Sequence, residues 1–86
     1  MSLQTDFEQA AVRVKSLGEQ SNDVLLQLYG LFKQASTGDV QGEEPGMFDF
    51  VGKAKYDSWA TRRGLSKDAA MQAYIELVDK LGGGKR

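Results

Sequence analysis

The run Tyr29-Gly30-Leu31-Phe32-Lys33-Gln34 holds a phenol and an ammonium four residues apart, with a glycine beside them. On a helix that spacing stacks Tyr29 and Lys33 one turn apart on a single face. Leu26 joins them on an arc just beyond the apolar stripe, Phe32 lies on the stripe's own edge, and Gly30 falls on the outward side with no role assigned. Val51, Lys55 and Trp59 repeat the recipe at four-residue spacing. Together the two rows could form a shared groove that takes a flat ring, a phosphate and some apolar length, with lysine for charge, tyrosine as donor and aromatics for stacking. Taken alone, periodicity favours a plainer account, in which Lys33 complements a helix dipole and Tyr29 covers the edge of a core.

Other chemistries find little support. The chain has no histidine and no cysteine, which removes the commonest general base near neutral pH, the commonest metal ligand and any disulfide. An enzyme is disfavoured and no metal is assigned. Glu43 and Glu44 are adjacent loop acids that read as solvent-facing, and Ser36-Thr37-Gly38-Asp39 lacks the glycine spacing of a phosphate loop. Net charge is −1, although Lys53, Lys55, Arg62 and Arg63 against Asp57 make one segment locally basic. Lys53, Arg62 and Arg63 read as a solvated helix face. A module docking an acidic peptide or a membrane through that face is a second reading, and a nucleic-acid binder is disfavoured by the acidic balance. No apolar run reaches membrane-spanning length, the N-terminal segment lacks a signal-peptide core, and the absence of cysteine suits a reducing compartment, so the cytoplasm is expected.

The elements that must position these residues are helices. At 86 residues, 41% hydrophobic and 27% charged, the chain is expected to be one globular domain with its core over about residues 3–81 and a frayed tail at 82–86. Leu3, Phe7, Ala10, Ala11, Val14 and Leu17 recur at helical spacing and predict a first helix closed by Gly18; Thr5 and Glu8 suggest a capping box, with Ser2 as the alternative cap. A second helix starts at Ser21 or Asn22, carries Val24, Leu25, Leu28, Leu31, Phe32 and Ala35 on its stripe, and stops near Thr37-Gly38. Gly38 to Met47 reads as a loop long enough to be a crossover or a working loop. A third helix is expected from about Asp49 to Arg63 with Gly64 after it; its stripe is poor, as if it served two surfaces. A fourth begins at Ser66 with Met71, Tyr74, Ile75, Val78 and Leu81 on one stripe, ended by Gly82-Gly83-Gly84. The fold class is an all-α four-helix bundle.

The residues also carry a resemblance. Tyr29–Asp39 (YGLFKQASTGD), Pro45–Asp49 (PGMFD) and Gly52–Trp59 (GKAKYDSW) are similar, in order and spacing, to three signature blocks of the acyl-CoA-binding protein family, and Ser66–Ile75 (SKDAAMQAYI) resembles its fourth helix. The likeness runs from Phe7 to about Leu77. It implies an up-down-down-up bundle whose long second connection is the crossover, and a non-catalytic monomeric carrier of medium- to long-chain fatty acyl-CoA that needs no cofactor and supplies acyl-CoA-using enzymes. It further implies that Lys33 and Lys55 meet the 3′-phosphate, that Tyr29 contacts the same nucleotide end, and that Phe32 takes the adenine-side position. Tyr74 would lie near the CoA and thioester, Lys15 would make a contact from the first helix, and Ala10 and Leu25 would line the acyl groove. Val51 stands at a ligand position where many members carry lysine, Tyr56 where most carry tryptophan, Phe32 keeps the ring without a hydroxyl, and Gln20 replaces a loop proline.

Overall fold

The computed structural model describes residues 2–82, so the rest of the expected tail, 83–86, lies outside the described residues. Four helices form: α1 (Leu3–Arg13), α2 (Asn22–Ser36), α3 (Phe50–Ala60) and α4 (Lys67–Leu81), with no strand among the described residues. Each starts at a side-chain cap that accepts an otherwise orphaned backbone N–H. Ser2 accepts from Thr5 N at 3.0 Å, Ser21 from Val24 N at 3.2 Å, Asp49 from Gly52 N at 2.9 Å and Ser66 from Ala69 N at 3.0 Å. The cap of α1 is therefore Ser2. Thr5 lies inside the helix, and the Glu8 carboxylate accepts from Gln4 Nε2 instead of closing a capping box.

Two helix ends fall short of their expected positions. After Arg13 the chain tightens into a 3₁₀ turn over Val14–Ser16. At the other, α3 ends at Ala60, because Thr61 Oγ1 and the Arg62 guanidinium both donate to the Ser58 carbonyl that would have accepted the next helical bond. Arg62 N and Arg63 N then bond to Trp59 O and Ala60 O, three residues back.

Side-chain pairings fix the directions. Phe7 meets Tyr74, Arg13 pairs with Asp79, and Leu17 lies against Gly82, so α1 and α4 run parallel. Lys55 lies over Tyr29 and Lys33 over Trp59, so α3 runs parallel to α2. Gln34 near the end of α2 donates to Leu65 O just before α4, which makes those two antiparallel. This is the up-down-down-up order. Phe7, Ala10, Leu28, Leu31, Ala35, Ala70, Met71, Tyr74 and Val78 form the core between α1, α2 and α4. From α3 only Trp59 is buried, because among the helices that one packs chiefly on α2; this accounts for its weak stripe.

Gly30, outward on the core wheel, is buried against α3: a Cβ there would stand 2.5 Å from Ser58 Oγ and 2.7 Å from the Ser58 carbonyl oxygen. The Ser58 hydroxyl uses this approach to donate to Leu26 O. Glycine allows the backbones to come this close.

The crossover between α2 and α3 is strapped down. Gly38, with φ +102°, turns the chain out of α2, and its carbonyl accepts from Trp59 Nε1 at 2.7 Å. Lys53 pairs with Glu44 on the surface, where both side chains stay about half exposed as expected of a solvated face, and Tyr56 donates to Gly42 O at 3.3 Å. Asp39 Oδ1 accepts from Gly64 N and from buried Gln34 Nε2, both at 2.9 Å. Those bonds, the Gly64 amide first, hold the Asp39 carboxyl below its ordinary value of 3.8. A depressed carboxylate contributes stability that is fully present above the unfolded pKa and is lost as pH falls through the lower folded value. Asp39→Asn should therefore flatten the loss of stability on acidification below about pH 4, read as urea midpoints compared at pH 7 and pH 3.

Candidate functional site

Where α1 gives way to its 3₁₀ turn, the bundle leaves an open hollow of about 470 Å³. Its walls are apolar: Val14, Leu25 and Leu28, with the rings of Phe32 and Tyr74. Phe32, Tyr74 and Phe7 make a three-ring cluster with centroids 5.2–6.0 Å apart, two of the pairs edge-on. Leu25 and Phe32, assigned by periodicity to the core stripe of α2, are 50% and 39% exposed because they face this hollow. Burial pushes the Tyr74 phenol above its ordinary value, since desolvation disfavours the phenolate.

The rim is polar and cationic. Lys15, Gln20, Tyr29 and Lys55 surround the opening. Lys55 Nζ stands 5.5 Å from the centroid of the Tyr29 ring. Among the described residues no carboxylate lies within ion-pairing distance of Lys15, Lys33 or Lys55, and no acidic side chain lines the hollow. The rim thus presents positive charge with no internal counterion beside a low-dielectric wall, an arrangement that favours an anion. A second hollow of about 320 Å³ between α2 and α3 shares Leu25 and Lys55 with the first and continues it over Leu26, Phe50, Val51 and Ala54.

Of the residues singled out in the sequence, Lys15, Leu25, Tyr29, Phe32, Lys55 and Tyr74 therefore border one hollow, and Val51 borders its extension. Ala10 does not: it is wholly buried in the core, since the α1 face it shares with Phe7 turns onto α4. Lys33 stands outside both linings, one turn further along, with Nζ 4.8 Å from the Trp59 ring centroid. The lysine–aromatic partnerships thus run between helices, Tyr29 with Lys55 and Trp59 with Lys33, rather than along each helix as the wheels suggested. Trp59 commits its N–H to Gly38 and serves as a buried platform. Val14, Leu28 and Gln20 were missed as lining; the first two sat on apolar stripes, and nothing in their spacing separated cavity wall from core.

A helical bundle with an open apolar hollow and unneutralised cations at its mouth is a protein built to hold an amphipathic anion. The chain belongs to the acyl-CoA-binding protein family: the family model described as acyl CoA binding protein matches residues 4–78. It is 51% identical over 76 residues to acyl-CoA-binding protein homolog 1 of Caenorhabditis elegans, covering 87% of this chain and 88% of that one. A homolog from Manduca sexta is also 51% identical, over 83 residues and 94% and 92% of the two chains. The crystal structure of Oryza sativa acyl-CoA-binding protein 2 superposes with a TM-score of 0.91 at 42% identity, covering 93% of this chain and 90% of that one. No described helix is long and apolar enough to cross a membrane.

Proposed function

We propose that the protein is a non-catalytic carrier that binds medium- to long-chain fatty acyl-CoA and needs no metal or cofactor to do so. The observation that carries this reading is Lys55, an ammonium without a counterion, poised over Tyr29 where the apolar hollow opens. In this reading Lys55 and Lys33 hold the 3′-phosphate, Tyr29 adds a donor, and Phe32 offers a ring to the adenine. Lys15 and Tyr74 contact the CoA and thioester region, while the acyl chain runs past Leu25 toward Val51. The same reading takes the protein as a cytoplasmic monomer that buffers the thioester and hands it to acyl-CoA-using enzymes.

Calorimetry with palmitoyl-CoA, free palmitate and free CoA tests it. Palmitoyl-CoA should bind far more tightly than either half, and equal weak binding of all three would overturn the reading. Across a series of acyl lengths, affinity should rise by about 0.8 kcal/mol per buried methylene until the two hollows are filled, then level off.

A further inference from the structure

In that reading the charged and apolar parts of an acyl-CoA have partners, but the amide groups of the pantetheine arm between them have none assigned. An amide drawn against an apolar wall without a hydrogen bond costs free energy. The larger hollow holds a group that matches them. Gln20 is the only side-chain amide in its lining among the described residues, and it offers a carbonyl acceptor and an NH₂ donor together. Lys15 and Lys55, on the same rim, can only donate.

The loop that carries Gln20 is pinned on both sides. Leu17 packs on the core and lies against Gly82 at the end of α4. Gly18 then turns the chain with φ +85°, a left-handed conformation that glycine adopts without strain. Directly after Gln20, Ser21 fixes the start of α2 by accepting from Val24 N at 3.2 Å. Gln20 is half-buried between these anchors, and its side chain has no hydrogen-bond partner among the described residues. Its polar atoms are not sealed off, so the amide stays free for a ligand.

We infer that Gln20 is a ligand-binding residue that hydrogen-bonds an amide of the pantetheine arm, so that the hollow selects a pantetheine thioester over a bare fatty acid. The inference rests on the carrier reading and adds a contact that does not involve the nucleotide. Both ends of this contact are neutral, which separates it from the lysine contacts: its contribution does not depend on the 3′-phosphate. The proline that Gln20 replaces in the family pattern has no polar side-chain group, so the contact is particular to this chain.

The test is calorimetry of Gln20→Met, which keeps an unbranched side chain and removes its amide. The ligands are palmitoyl-CoA, the same thioester lacking the 3′-phosphate, and a palmitoyl-CoA analogue whose arm amides are replaced by methylene groups. The variant should bind the first two about 2- to 12-fold more weakly than the wild type, by one common factor, which is the range for a hydrogen bond between neutral groups. Toward the analogue, variant and wild type should be equal. A readout on the unaltered protein accompanies it: the side-chain NH₂ resonances of Gln20 should move when palmitoyl-CoA is added. Unmoved resonances, equal binding of palmitoyl-CoA by variant and wild type, or a loss confined to the ligand with the 3′-phosphate would each overturn the inference. So would an equal loss toward the analogue, since Gln20 would then act through the shape of the loop. A wild type that binds palmitoyl-CoA no better than palmitate or CoA would overturn the carrier reading and this inference with it, whereas tight wild-type binding matched by Gln20→Met would overturn the inference alone.

Discussion

Lys55→Ala should weaken fatty acyl-CoA binding by about 1.5–3 kcal/mol, the range for a hydrogen bond to a charged group. That corresponds to roughly 10- to 150-fold in affinity. The effect is expected to be this large because the Lys55 ammonium has no carboxylate partner to leave behind and lies against the Tyr29 ring at the edge of an apolar wall. Water and salt screen a phosphate contact less there than on an open surface. The loss should fall on the full ligand and nearly vanish for an acyl-CoA lacking the 3′-phosphate. Lys33→Ala should show the same dependence, because its ammonium over Trp59 lies one helical turn along the same inter-helix seam. Calorimetry with both ligands separates the possibilities: equal losses for the two would remove these lysines from the phosphate site.

Gly30→Ala should destabilise the fold by about 2 kcal/mol. Alanine gains about 1 kcal/mol of helix propensity over glycine, but overpacking a fitted contact costs up to about 3 kcal/mol. Here the second term prevails, because the obstruction is backbone as well as side chain: the Ser58 carbonyl oxygen and carbon would lie 2.7 and 2.9 Å from the new Cβ. Adding Ser58→Ala should therefore not restore stability, since it removes only the hydroxyl. The separation of α2 from α3 should also displace Lys55 from Tyr29, so acyl-CoA affinity should fall along with the urea midpoint. An unchanged midpoint would show that the helices do not approach through Gly30.

These two residues mark what the sequence makes legible. Helix caps and stripes at Ser21, Asp49 and Ser66 follow from local chemistry, and the helices start where those residues stand. The rows Tyr29–Lys33 and Val51–Lys55–Trp59 lie on two helices that pack against each other, and they were legible because an aromatic beside a cation on a boundary arc stands out from a core stripe. Partner assignment was beyond reach, because which lysine meets which ring depends on the offset between two parallel helices, and a wheel describes one helix at a time. Gly30 was opaque for the same reason: its neighbour, Ser58, lies on another helix. Ala10 was misassigned to the groove because a small residue on an apolar face is compatible with a wall or an interior, and only the packing of α4 decides.

The parallel pairing of the first helix with the last also orders events during synthesis. The face of α1 that bears Phe7 and Ala10 is covered largely by α4, whose last described residue is Leu81. At about 5–20 residues per second, the ribosome needs several seconds to make the chain between them. Through that interval α1 has no complete partner, and α2 lacks the helix that closes its core face. Most of the bundle's burial therefore arrives only with α4, so the nascent bundle is held open until α4 has been made, and a chain stalled before α4 exposes the same apolar stripes to chaperones and proteases.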